Sequence, residues 1–133
     1  DALAMLALEK AFAMAPTFDM IHVHAGSVAF PLMRRSPIPI VGTIYGPIDA
    51  PEVLRLHREF RELALVATSA SQVQQAPDLN WQAVIPSDLS RGEVGNEGLE
   101  TRIARAYESI YEWITLRRST ARQDRALEFC HGV

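Results

Sequence analysis

Apolar positions along this chain change period several times, and each change marks an element. Ala2 to Ala15 is apolar and alanine-rich around Glu9 and Lys10 and stops at Pro16, which predicts a helix to about Met14. Phe18 to His24 reads as a short, mostly apolar strand ended by Ala25-Gly26. Ser27 to Arg35 predicts a second short helix with Ser27 as its cap and an irregular start at Pro31, closed by Pro37 and Pro39. Ile38 to Ile44 is nearly continuous in apolar residues, the pattern of a strand covered on both faces in a parallel sheet, with Pro39 at its first residue.

Tyr45 to Pro51 is turn chemistry, and Asp49 ahead of Pro51 reads as a capped helix start. That helix is predicted from Pro51 to about Glu62, with Val53, Leu54, Leu56, His57 and Phe60 inward. Leu63 to Ser69 is the third strand, a polar stretch around Gln72 to Gln75 follows, and Trp81 to Ile85 is the fourth strand, closed by Pro86. Strands separated by helical segments imply right-handed βαβ crossovers. The predicted fold is therefore α/β: residues 1–86 form a Rossmann-like domain, a four-stranded parallel sheet with helices on both faces. Ile21, Val23, Ile40, Val41, Ile44, Leu65, Val66, Val84 and Ile85 should be buried in it.

Residues 87–98 hold three of the seven glycines and no apolar period, which reads as a linker. Beyond it Leu99, Ile103, Ala106, Ile110, Trp113 and Ile114 repeat at helical spacing. One amphipathic helix should run to about Arg118 and pack on the sheet through Leu99, Ile103, Ile110 and Ile114. A shorter helix from Thr120 to Cys130 completes residues 99–133.

Composition narrows the function classes. With 133 residues, 48% hydrophobic and 22% charged, one domain with a sizeable core is expected, and no apolar run approaches a membrane span. Thirteen Lys and Arg against sixteen Asp and Glu give a net charge of -3, the wrong sign for nucleic acid as a partner. Cys130, alone, implies no internal disulfide, and with four scattered histidines it makes no zinc set; no metal or cofactor is expected. A reducing cytoplasm is the expected compartment. The acidic Asp1 ahead of the apolar stretch fits a helix better than a secretory signal.

Ligands of open parallel sheets bind beyond the carboxyl ends of the strands. The search narrows to His24-Ala25-Gly26-Ser27, Thr43-Ile44-Tyr45-Gly46, Thr68 to Gln72 and Pro86-Ser87-Asp88. His24 is an imidazole titrating near neutrality, followed by a glycine that allows close backbone approach, and alternation puts His22 on the same face one step deeper. From spacing alone the simpler reading is two ordinary residues, one hydrogen-bonded beneath a helix and one at a loop. Tyr45-Gly46 reads equally as a turn, and the serines after the third strand as caps. Tyr107, Tyr111 and Trp113 at helical spacing read as core or docking surface. No Walker loop, Gly-x-Gly-x-x-Gly or Gly-x-Ser-x-Gly motif is present.

The runs Phe18 to His24, Ala29 to Leu32, Pro39 to Glu52, Leu65 to Ser69, Pro77 to Trp81 and Ala83 to Pro86, in that order, resemble the N-terminal domain of bacterial family-four glycosyltransferases over residues 1–90. The resemblance implies a retaining enzyme of the GT-B fold, with two Rossmann-like domains, that moves a sugar from a nucleotide sugar onto an acceptor held in the cleft. It implies His24, the second histidine of a His-x-His strand end, as the catalytic-site residue near the transferred sugar. It also implies Gly26, Thr43, Tyr45, Gly46 and Ser69 on the acceptor-side wall, with Tyr45 standing where the family usually has histidine. The family's hinge motif appears as Ile85-Pro86-Ser87-Asp88-Leu89-Ser90, and Ala106 to Tyr111 resembles the final helix that crosses back onto the N-terminal domain. The nucleotide-sugar domain has no counterpart in these residues, so the stretch reads as the middle and end of such an enzyme.

Two functions compete. The first is an acceptor-side glycosyltransferase domain, inactive by itself, taking sugar nucleotide and acceptor as partners only when a donor domain is supplied. The second is a non-catalytic binding or assembly module, a homodimer formed through the exposed Asp19 to His24 sheet edge. A fragment of a longer enzyme is a third reading.

Overall fold

The computed structural model describes residues 2–86 and 97–131; the side chains of Glu97, Leu99 and residues 118–131 lie outside that description. Elements follow in the order α1 (Ala2–Ala13), β1 (Ile21–Val23), α2 (Phe30–Arg34), β2 (Ile40–Ile44), α3 (Pro51–Glu59), β3 (Leu65–Ala67), α4 (Ala70–Gln75), β4 (Trp81–Val84) and α5 (Glu97–His131). The four strands form one all-parallel sheet in the order β1-β2-β3-β4. Val23 lies opposite Gly42, and Ile44 opposite Ala67. The expected α/β, Rossmann-like class is the observed one.

Strand order that advances without reversal has a consequence for the layers. Right-handed crossovers stepping in one direction place every connecting helix on the same face. Phe30 and Met33 of α2, Val53 and Leu54 of α3, and Ala76 and Leu79 after α4 accordingly share one cluster with Val23, Ile44 and Leu65, joined by Leu8 and Phe12 of α1. Alternation along the strands aims Val41 and Val66 at the opposite face, where Ile85 joins them. There the cover is α5, through Ile103, Ala106, Tyr107, Ile110, Tyr111 and Ile114. Among the described residues, the double cover expected within residues 1–86 is therefore completed by α5, which lies outside them.

Other local differences have local reasons. Gly42 is where β2 passes closest to α2: a Cβ there would lie 3.0 Å from Met33 Cε. Ala50, not Asp49, occupies the cap position of α3, whose preset Pro51 starts the helix without a side-chain cap. Ser27 likewise caps nothing; a 3-10 turn over Gly26–Ala29 leads into α2 instead. Leu56 sits at the flank of the α3 stripe and is exposed, and Val84, at the end of the outermost strand, is 44% exposed. Ile21 and Ile40 are half-buried, whereas the other six predicted strand residues are buried. The polar stretch at Gln72 is inside α4. The two C-terminal helices are one, because nothing in Arg118-Ser119-Thr120 is a helix breaker. That helix takes in Glu97 and Gly98 of the expected linker, and residues 87–96 lie outside the described ones. Among the described residues no helix is long and apolar enough to cross a membrane.

Candidate functional site

Because residues alternate across a strand, His22 and His24 leave β1 on the α5 side of the sheet, and Thr43 leaves the neighbouring β2 on the same side. The two imidazoles lie with ring centroids 4.0 Å apart. His22 is clasped at both nitrogens: its Nδ1 is 2.6 Å from the Tyr111 hydroxyl and its Nε2 is 2.7 Å from Thr43 Oγ1. Thr43 Oγ1, fully buried, is in turn 3.4 Å from the Tyr107 hydroxyl. His24 is exposed, and its Nδ1 lies 2.7 Å from the Tyr45 hydroxyl. Its Nε2 has no hydrogen bond among the described residues.

Two glycines shape the loops that carry this exposed pair. Gly26 and Gly46 have φ of 64° and 76°, a region that L side chains rarely enter, and each sits within two residues of His24 or Tyr45. The Gly46 turn is held from beneath by Gln72, which is 2% exposed. Its Nε2 donates to the carbonyls of Ile44 at 3.1 Å and Gly46 at 2.6 Å. Its Oε1 accepts from the N–H of Thr68 at 2.7 Å and of Ser69 at 3.1 Å, the second arm belonging to a capping box with Ser69.

Burial sets the charge state. Removal from water, with the neighbouring His24 second, holds His22 down to about 4, and burial also lowers His24 below its ordinary value. Burial, with Tyr107 second, pushes Tyr45 and Tyr111 up. At neutral pH the cluster is thus two uncharged imidazoles among protonated hydroxyls, a surface of neutral donors and acceptors suited to hydroxyl and carbonyl oxygens. A groove of ≈ 300 Å³ between α1 and β1, lined by Leu8, Phe12 and Ile21 to Ala25, opens beside it.

Of the residues singled out in the sequence, His24, Tyr45 and Thr43 come together, with Gly26 and Gly46 shaping the flanking turns. Ser69 stands apart, capping α4 and bonding Ser71 Oγ at 2.9 Å. Sequence reasoning put Tyr107 and Tyr111 in the core or on a docking surface and held Gln72 only as the end of the Thr68 to Gln72 segment. The available signals were two phenols four residues apart on an apolar helix face, and the Ser-x-x-Gln spacing of a capping box. No protein-family model matches the chain, and no curated protein matches it.

Proposed function

We propose that this chain is the acceptor-side domain of a family-four, GT-B-type retaining glycosyltransferase, and that His24 and Tyr45 present neutral hydrogen-bonding groups to the hydroxyls of a sugar or sugar-like acceptor. The observation that carries the reading is the uncharged His22–His24 pair, its ring centroids 4.0 Å apart, at the carboxyl end of β1 with His24 exposed. Transfer also needs the leaving diphosphate neutralised. Nothing in the cluster carries that charge, so turnover requires a donor-binding domain joined to it or docked against it.

Titration of the labelled protein with hexoses and methyl hexosides at millimolar concentration, followed through the histidine ring signals, tests this. Sugars should move His24 and His22 and leave His57, the buried residue of α3, unmoved. If no sugar moves His24 while the fold is intact, the reading is wrong. Nucleotide sugars without an acceptor should shift neither ring unless a donor domain is present.

One observation favours the assembly reading as a second. β1 is an edge strand, and α1 beside it leaves Leu3, Met5 and Leu6 between 59% and 77% exposed. An apolar helix of this kind is ordinarily covered on every side. A homodimer burying this face predicts a concentration-dependent mass in sedimentation equilibrium that Leu6→Lys abolishes; a persistent monomer rejects it.

A further inference from the structure

Among the described residues α5 covers the second face of the sheet, and that cover reaches into the site. His22 is 89 residues from Tyr111 in the sequence, yet their polar atoms are 2.6 Å apart, so the position of α5 is registered directly at a part-buried imidazole nitrogen. A neutral imidazole has one N–H and one lone pair, and both nitrogens of His22 face a hydroxyl. Two arrangements satisfy the pair. Either Tyr111 donates to Nδ1 and Nε2–H donates to Thr43, or Thr43 donates to Nε2 and Nδ1–H donates to Tyr111.

Donor strength separates them. A phenol is more acidic than an aliphatic alcohol and correspondingly the better donor and poorer acceptor. In the first arrangement Tyr111 uses its stronger donor and Thr43 its stronger acceptor, and the Thr43 proton stays free to point at the Tyr107 oxygen. The second arrangement inverts both roles.

We propose that Tyr111 of α5 is a positioning residue: its hydroxyl donates to His22 Nδ1, keeps the proton of that imidazole on Nε2 towards Thr43, and so orders the ring against which His24 packs, tilted by 42°. The site is then a joint product of the strand ends and α5. The inference rests on the histidine pair being the functional centre, but its test needs no ligand, so it can fail while sugar binding stands, or hold while sugar binding fails.

The test is the histidine tautomer, read from long-range proton–nitrogen correlation spectra above neutral pH. In the wild type, His22 should show an unprotonated Nδ1 and a protonated Nε2. Tyr111→Phe should bring both nitrogens toward averaged, intermediate shifts, with near-UV circular dichroism unchanged. Tyr107→Phe, which removes a hydroxyl that does not touch His22, should leave the tautomer as it is. A wild-type proton on Nδ1 overturns the proposal even if Tyr111→Phe does not fold. So does a single, unchanged tautomer in a folded Tyr111→Phe.

Discussion

Replacing Gln72 by leucine should cost more than its position on a six-residue helix suggests. The side chain is 2% exposed, and its amide serves two carbonyls and two N–H groups. Leucine keeps the volume and serves none of them. The Ile44 carbonyl retains the Thr68 hydroxyl at 3.0 Å, so the groups left wanting are the Gly46 carbonyl and the N–H groups of Thr68 and Ser69. Each unmade bond to a buried group costs about 1–3 kcal/mol, and exposed Gly46 with half-buried Thr68 and Ser69 fall at the low end because water reaches them. With a small gain from apolar burial, the net loss is about 2 kcal/mol. At a urea slope of about 1.5 kcal/mol/M this lowers the unfolding midpoint by roughly 1.3 M. Gln72→Glu should lose a similar amount, since it turns a carboxylate oxygen toward two carbonyls. A loss below about 1 kcal/mol for leucine, or a glutamate variant as stable as the wild type, would refute the reasoning.

Three further outcomes are expected. Ile110→Ala, on the sheet-facing side of α5, should cost about 3 kcal/mol in urea unfolding, and a chain ending before Glu97 should melt lower or aggregate; unchanged melting of either would show that α5 does not cover the sheet. Stability should fall as pH drops from 6.5 towards 4, because the unfolded chain takes up a proton at His22 that the folded chain, with His22 held at about 4, refuses; this contribution is complete above 6.5. His22→Gln should flatten the pH dependence in that window by up to one proton, and an identical slope rejects the assignment. Gly42→Val should cost about 1–3 kcal/mol by overpacking against Met33 and Leu65, whereas Gly42→Ala should stay within about 1 kcal/mol because Met33 can turn aside; equal effects in thermal melts would refute the close approach.

The parallel sheet was legible because the runs around Val41 and Val66 are apolar on nearly consecutive residues, a pattern that two-sided burial explains. His22 and His24 were legible as a same-face pair from strand alternation. Their partners were not, since a contact between residues 22 and 111 has no local signature. Gln72 was hidden among glutamines and serines: a polar residue in a polar stretch announces nothing until its burial is known. Asp49 misled because a preset proline makes a side-chain cap dispensable. Val84 misled because hydropathy does not say which strand lies outermost.

The advancing strand order also bears on how the chain is made. Each strand pairs with the one before it, so the sheet and the helices of its first face can form as the residues emerge. The second face waits for α5. Between the synthesis of His22 and that of Tyr111 lie 89 residues. At cellular elongation rates this is on the order of ten seconds. Until then Val41, Val66 and Ile85 lack the cover that α5 gives them in the folded protein. Synthesis of α5 thus ends a period in which this part of the nascent sheet is exposed to aggregation.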